Sequence, residues 1–232
     1  MTKKTVNQST NSISLRTRLL AVKTARLSDA LGKSGAMDHD MKCVSANCRM
    51  AGPAFTLRVH PADILMVAKA VALCPQGKVL VIDGQGELNT ALLGNIVTLE
   101  ARLKKVAGFV VDGAIRDSSE IRRDRLPVFA RSVVPNAGGT EYIGELELPV
   151  QCGGVVVTSG DWVIGDEDGV VVVPADRLLS VLKLAEQLAT VEKKIERGVR
   201  QGKTLVSLLH YDEVFDRKSK GVRLPQMNFR GR

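Results

Sequence analysis

Aromatic side chains make up 3% of the 232 residues: five Phe, two Tyr and one Trp. A platform for single-stranded nucleic acid needs several rings in register, so base stacking cannot be argued for this chain. No apolar run reaches the roughly 18 residues that a membrane-spanning helix requires. The opening MTKKTVNQSTNS carries two lysines but no apolar segment behind them, so it does not read as a signal peptide, and the cytoplasm is the expected compartment. His39, His60 and His210 lie far apart, with no HExxH pair. Of the four cysteines, Cys43 and Cys48 are close in sequence, but Cys74 and Cys152 form no second pair to complete a zinc set. All four read as reduced thiols. A metal, if bound, should then be a hard ion held by carboxylates and water.

A hydrophobic fraction of 44% suffices for one domain with a sizeable core. The formal charge of +8 gathers partly in the last stretch, FDRKSKGVRLPQMNFRGR. Such a tail reads as a solvated segment, and neither a nucleic acid nor a membrane is expected as partner. Segments 1–13, 14–200 and 201–232 are expected to be a flexible N-terminus, one domain including its C-terminal helix, and a basic tail.

Apolar spacing predicts an amphipathic helix from Ser14 to Leu31, capped at Gly32. MAGPAFTLRVH (Met50–His60) reads as a turn and then a strand, and ADILMVAKAVAL (Ala62–Leu73) as a buried helix. KVLVID (Lys78–Asp83) and VAGFVVD (Val106–Asp112) read as buried strands. Between them Leu92, Ile96, Leu99 and Leu103 mark a helix with one buried stripe. Together they form a βαβ unit of parallel strands. Beyond Pro127, PVFAR, GGVVVTSGDWVIG and GVVVVP read as hairpin strands, with Gly160-Asp161 and Asp168-Gly169 as turns. Asp166 and Asp168 fit turn roles better than metal ligation. A helix follows from Asp176 to about Arg197.

Two glycine loops carry chemistry. In DGQGELNTALLGN (Asp83–Asn95), Gly94 precedes a helix start whose amides, at Asn95, Ile96 and Val97, are suited to an anion; a structural turn is the competing reading. VVDGAIRD (Val110–Asp117) places a turn at Gly113 and then Arg116 beside Asp117. Parallel strands end at one edge, so both loops should open on one crevice. An arginine fork grips a carboxylate, and a neighbouring aspartate whose side chain diverges can bind a metal. A 2-oxo acid fits such a pair; a plain surface ion pair is the alternative.

Across nearly its whole length the chain resembles the RraA-like family. The matching stretches are TARLSDALG (Thr24–Gly32), MAGPAFTL (Met50–Leu57), GKVLVIDGQGELNTALLGN (Gly77–Asn95), AGFVVDGAIRD (Ala107–Asp117), LPVFAR (Leu126–Arg131) and GDWVIGDEDGVVVVP (Gly160–Pro174). The resemblance implies a swivelling β/β/α-type α/β single domain with a C-terminal helical extension, assembled as a trimer or hexamer. It implies a lyase that cleaves 4-hydroxy-2-oxo dicarboxylates to pyruvate or decarboxylates oxaloacetate with Mg2+ or Mn2+. In that role Arg116, Gly94, Asn95, Ile96 and Val97 bind substrate, Asp117 binds metal, and Glu192 of a neighbouring subunit assists. The family's aldolases carry an acidic residue where this chain has Asn95. The same family includes non-catalytic regulators of RNA-degrading enzymes, and Asn95 keeps that second function open.

Overall fold

The computed structural model of the chain describes residues 15–221. The expected flexible segment 1–13 and the end of the basic tail lie outside the described residues. Along the chain come helix α1 (15–21), α2 (Thr24–Ala30), β1 (Lys42–Cys43), β2 (Met50–Arg58), α3 (Leu65–Leu73), β3 (Val79–Ala91), α4 (Asn95–Leu103), β4 (Gly108–Ile115), α5 (Ser118–Asp124) and β5 (Val128–Val133). Then follow β6 (Glu145–Leu146), β7 (Val150–Cys152), β8 (Val155–Val157), β9 (Trp162–Asp166), β10 (Gly169–Val173), a 3-10 turn (Ala175–Arg177), α6 (Leu178–Arg200), α7 (Leu205–Leu208) and α8 (Tyr211–Ser219).

Strands that are apolar on both faces need cover on both faces. The sheet order is β1-β5-β4-β3-β2-β9-β10, with β2 to β5 parallel and β1, β9 and β10 antiparallel to their neighbours. Side chains alternate along each strand. Leu80, Ile82, Phe109, Val111 and Val128 meet α3, α4 and α5 on one face. Val79, Val81, Val110 and Phe129 meet Met37, Met41 and the β7–β8 hairpin on the other. Val163 and Val172 join that second core, while Ile164, Val171 and Val173 turn to a third, formed with α1, α2 and α6. The result is the expected mixed α/β architecture with a helical C-terminal extension.

Several local expectations change. The single helix across residues 14–31 is two, because the Asp166 carboxylate captures the start of the second: Thr24 N donates to Oδ2 at 2.9 Å and Thr24 Oγ1 to Oδ1 at 2.6 Å. Asp166 also accepts from Asp168 N at 3.0 Å, so the turn reading of this pair holds. Met50 already lies inside β2, so the turn falls before it, in residues 44–49. In α3, Leu65 and Leu73 are exposed, and the helix is not buried all round. Of the anticipated stripe, Leu92 is buried and Leu99 half-buried, but Ile96 and Leu103 are each 73% exposed, and on α4 it is Thr98 and Ala101 that face inward. PVFAR is the parallel strand β5 rather than part of a hairpin. Cys43 and Cys48 are joined as a disulfide, with Cα atoms 5.7 Å apart, against the expectation of four thiols; Cys74 and Cys152 are buried and free. Within 201–221, α7 and α8 are helical. No described helix is long and apolar enough to cross a membrane.

Candidate functional site

The site is built by two irregularities in β3. Between the pairs Asp83↔Asp112 and Ala91↔Ala114 the register shifts twice, so a long stretch of β3 passes two steps of β4. The segment GQGELNT is thus paired, bulged strand rather than a turn into a helix. Gly113 does not turn the chain. It sits inside β4 opposite Glu87, where a Cβ would come 3.0 Å from Glu87 O and from Leu92 Cδ1. Its smallness lets the bulge press against β4. After the bulge, Leu92 N donates to Ala114 O at 2.9 Å and Arg116 N to Leu93 O at 3.0 Å. These two bonds fix the start of α4 against the end of β4.

The two glycine loops therefore do meet. Gly94 is the N-cap of α4, and a Cβ on it would lie 2.3 Å from Asp117 Oδ2 and 3.1 Å from Arg116 Cγ. Asn95 N donates to Asp117 Oδ2 at 3.0 Å. One of the three amides expected to face a ligand is thus already used, leaving those of Ile96 and Val97 in a first turn that has no intrahelical acceptor. Arg116 Nε stands 3.8 Å from Asp117 Oδ2, with both side chains partly exposed. The adjacent side chains converge instead of diverging, because Asp117 adopts a left-handed backbone, φ +57° and ψ +41°.

That conformation costs on the order of 1 kcal/mol in a residue other than glycine. Asp117 is also the N-cap of α5, yet its side chain makes no cap hydrogen bond there; it is turned onto α4. Its bond from Asn95 N replaces a cap on α5 with one on α4. A carboxylate, a guanidinium and a helix N-terminus are thereby held in one place.

Around this point the frame is stiff. Asp112, in β4, accepts from Arg131 Nε and from Gly153 N, the latter at 2.6 Å. Arg131 also reaches Asp40 at 2.5 Å and Asp38 at 2.9 Å. Its hydrogen bond to Asp112, and then those to the other two carboxylates, raise the guanidinium's pKa. The same arginine's hydrogen bond holds the Asp40 carboxyl below its ordinary value of 3.8. The sequence reading passed over this cluster. Its signal was available: Asp112 and Arg131 follow Val111 and Ala130, which are paired on adjacent parallel strands.

Glu192 is not brought to Arg116 and Asp117 within this chain. It lies on α6, where Arg26 Nε donates to it at 2.6 Å. It lines an apolar groove of about 470 Å³ with Leu188, Val191, Ile195, Leu205 and Leu209. As for metals, no group of three or more His, Cys, Asp or Glu among the described residues is placed to hold one.

Known proteins sharing this architecture carry several kinds of name, aldolase and RraA among them. A provisionally named 4-hydroxy-4-methyl-2-oxoglutarate aldolase of Halalkalibacterium halodurans is 35% identical, covering 79% of this chain and 87% of its own. The 4-hydroxy-4-methyl-2-oxoglutarate aldolase of Thermus thermophilus is 36% identical over 67% of this chain and 94% of its own. A solved structure described as the RNA-processing inhibitor RraA, also from Thermus thermophilus, is 36% identical with a TM-score of 0.61, covering 66% of this chain and 92% of that one. Residues 24–172 match the model of the RraA-like family, described as Aldolase/RraA, and this chain belongs to that family.

Proposed function

We propose that the chain is a divalent-metal-dependent lyase that forms pyruvate, by retro-aldol cleavage of a 4-hydroxy-2-oxo dicarboxylate or by decarboxylation of oxaloacetate. The observation that carries this reading is the convergence of Arg116, Asp117 and the α4 N-terminus on Gly94, held at a local energetic cost. Asp117 Oδ2 already accepts from Asn95 N and faces Arg116, and the partly exposed carboxylate keeps lone pairs that a cation could use.

The donor set fits a hard ion. Asp117 offers one carboxylate, and Mg2+ accepts one or two carboxylates while keeping several waters. Bound there, such an ion would supply Lewis-acid polarisation of the 2-oxo group. The chain's own residues do the rest. Arg116 holds the substrate carboxylate through its planar fork. The Ile96 and Val97 amides, aided by the helix dipole, favour the negative charge that develops as the C–C bond breaks. Asn95 can donate to or accept from substrate or water but cannot take up a proton. The part of Glu192 rests on the family resemblance alone: within one chain it is held by Arg26, and it would act only from a neighbouring subunit of a trimer or hexamer.

A second reading is favoured by Asn95 alone: a non-catalytic regulator that binds an RNA-degrading enzyme or helicase. Pyruvate release separates the two. With oxaloacetate and Mg2+ or Mn2+, the lyase is expected to turn over above the metal-only rate and to lose that excess with EDTA. A folded protein giving only the metal-only rate with oxaloacetate, and none with 4-hydroxy-4-methyl-2-oxoglutarate, would refute the lyase and leave the regulator.

Gly94→Ala gives a finer check. Gly94 has φ −141°, extended backbone open to any residue, so folding should survive, with stability changed by no more than about 1 kcal/mol. The added methyl must displace the Asp117 carboxylate, 2.3 Å away. A shift of about 1 Å at a reacting centre costs ~100-fold in kcat/KM, with weaker Mn2+ binding by calorimetry. Unchanged Mn2+ affinity in a folded variant would remove Asp117 from the metal site.

A further inference from the structure

We propose that Cys43 and Cys48 are a thiol–disulfide modification site, oxidised by low-molecular-weight disulfides of the glutathione type and reporting to the segment that follows helix α5. The proposal does not depend on the lyase reading. Cys43 ends β1 and Cys48 lies on the loop to β2; both are half-buried against the second core, with Cα atoms 5.7 Å apart. That separation is the usual one for a bridge.

The loop also accommodates the reduced pair. Ser45 O lies 3.5 Å from Cys43 Sγ and 3.9 Å from Cys48 Sγ, and Asn47 O lies 3.8 Å from Cys43 Sγ. As thiols, both side chains have a carbonyl to donate to; as a disulfide they need none. Ser45 is itself buried, its Oγ donating to Asn47 O at 2.6 Å. Each thiol thus has an acceptor inside the loop when the bond is open, while the loop loses its crosslink and with it a restraint on its neighbours. Cys74 and Cys152 differ: burial pushes the Cys74 thiol up to about 11 and Cys152 also well above its ordinary value. Exchange runs through thiolates, so these two stay inert.

The exchange balances. One thiolate of the pair attacks oxidised glutathione, forming a mixed disulfide and releasing one glutathione thiolate. The second cysteine thiolate attacks the mixed disulfide at the protein sulfur, closing Cys43–Cys48 and releasing the second glutathione. Two electrons leave the protein, and the two protons end on the two glutathione thiols.

Three contacts carry the state of the loop into residues 125–129. Cys43 pairs with Phe129 across β1 and β5. Val44 N donates to Val128 O at 2.8 Å. Asn47 Nδ2 reaches Arg125 O at 3.5 Å, on the left-handed C-cap of α5. The opposite end of that seven-residue helix is capped by Asp117.

The test equilibrates the full chain in glutathione buffers of varied reduced-to-oxidised ratio, followed by acid quenching, unfolding, alkylation and peptide mass spectrometry. Cys43 and Cys48 are expected to lose alkylation together as oxidised glutathione rises, with a 2 Da mass loss, while Cys74 and Cys152 stay alkylated. In Cys48→Ser, Cys43 should stop at the glutathione adduct. Hydrogen exchange at residues 121–129 should be several-fold faster in the reduced form. Full alkylation at every ratio, or one glutathione on each cysteine, would overturn the site. Equal exchange in the two forms would overturn its link to α5.

Discussion

Arg116→Ala and Asp117→Ala should each remove nearly all pyruvate formation, and for different reasons. Losing a charged, hydrogen-bonded partner of a substrate carboxylate costs about 2–4 kcal/mol, or ~30- to 1000-fold in kcat/KM. For Arg116→Ala the loss should appear mainly in KM, with Mn2+ affinity kept. Arg116→Lys should recover only part of it, because an ammonium cannot reproduce the planar fork. For Asp117→Ala, Mn2+ affinity itself should fall, and excess metal should restore part of the rate. Both variants should fold. Asp117 now occupies a left-handed position, and each side chain is at least a third exposed. Calorimetry with Mn2+ and steady-state assays on oxaloacetate separate the two patterns. Identical losses of metal affinity in both variants would mean that the pair acts as one ion pair rather than as two binding groups.

Much of the frame of this site is legible in the sequence, and the reasons are physical. Buried parallel strands are continuous apolar runs, so KVLVID and VAGFVVD announce β3 and β4. A parallel pair must also end at one edge, which is why the sequence alone puts the two glycine loops together. What could not be read is register. The bulge that carries β3 on to Ala91 depends on Gly113 leaving room beside Glu87 and Leu92, a contact between distant segments. The inward face of α4 has a similar origin. Leucines at helical spacing identify a helix, but which face lies inward is set by how Leu92 and Leu93 dock before the helix begins. Arg131 meets its three carboxylates from two distant segments, Asp38 and Asp40 just before β1 and Asp112 in β4, and only the Asp112 part is legible from strand ends. The convergence of Arg116 and Asp117 rests on one left-handed residue, a conformation open to aspartate but not signalled by sequence pattern.

Asn95→Asp is expected to change the balance between the two reactions proposed here. Retro-aldol cleavage requires that the C4 hydroxyl lose its proton, whereas decarboxylation of oxaloacetate has no such proton to remove. With Asn95 the chain offers no acid–base group at that point, so the wild type should decarboxylate oxaloacetate more readily than it cleaves 4-hydroxy-4-methyl-2-oxoglutarate. A carboxylate there adds general-base catalysis, a factor of roughly 100 or more on the aldol step alone. It also places a second anion near Asp117, which should tighten divalent-metal binding. The substitution is structurally mild. The bond to Asp117 comes from the backbone amide of residue 95, which any side chain keeps, and an acidic residue in the first turn of a helix is favoured by the dipole. The variant's aldolase rate should fall as pH drops and the new carboxylate protonates, a limb the wild type should lack. Equal gains on both substrates would point to metal occupancy as the whole effect. No gain on either, with Mn2+ affinity raised, would show that the base this chain lacks is not at position 95.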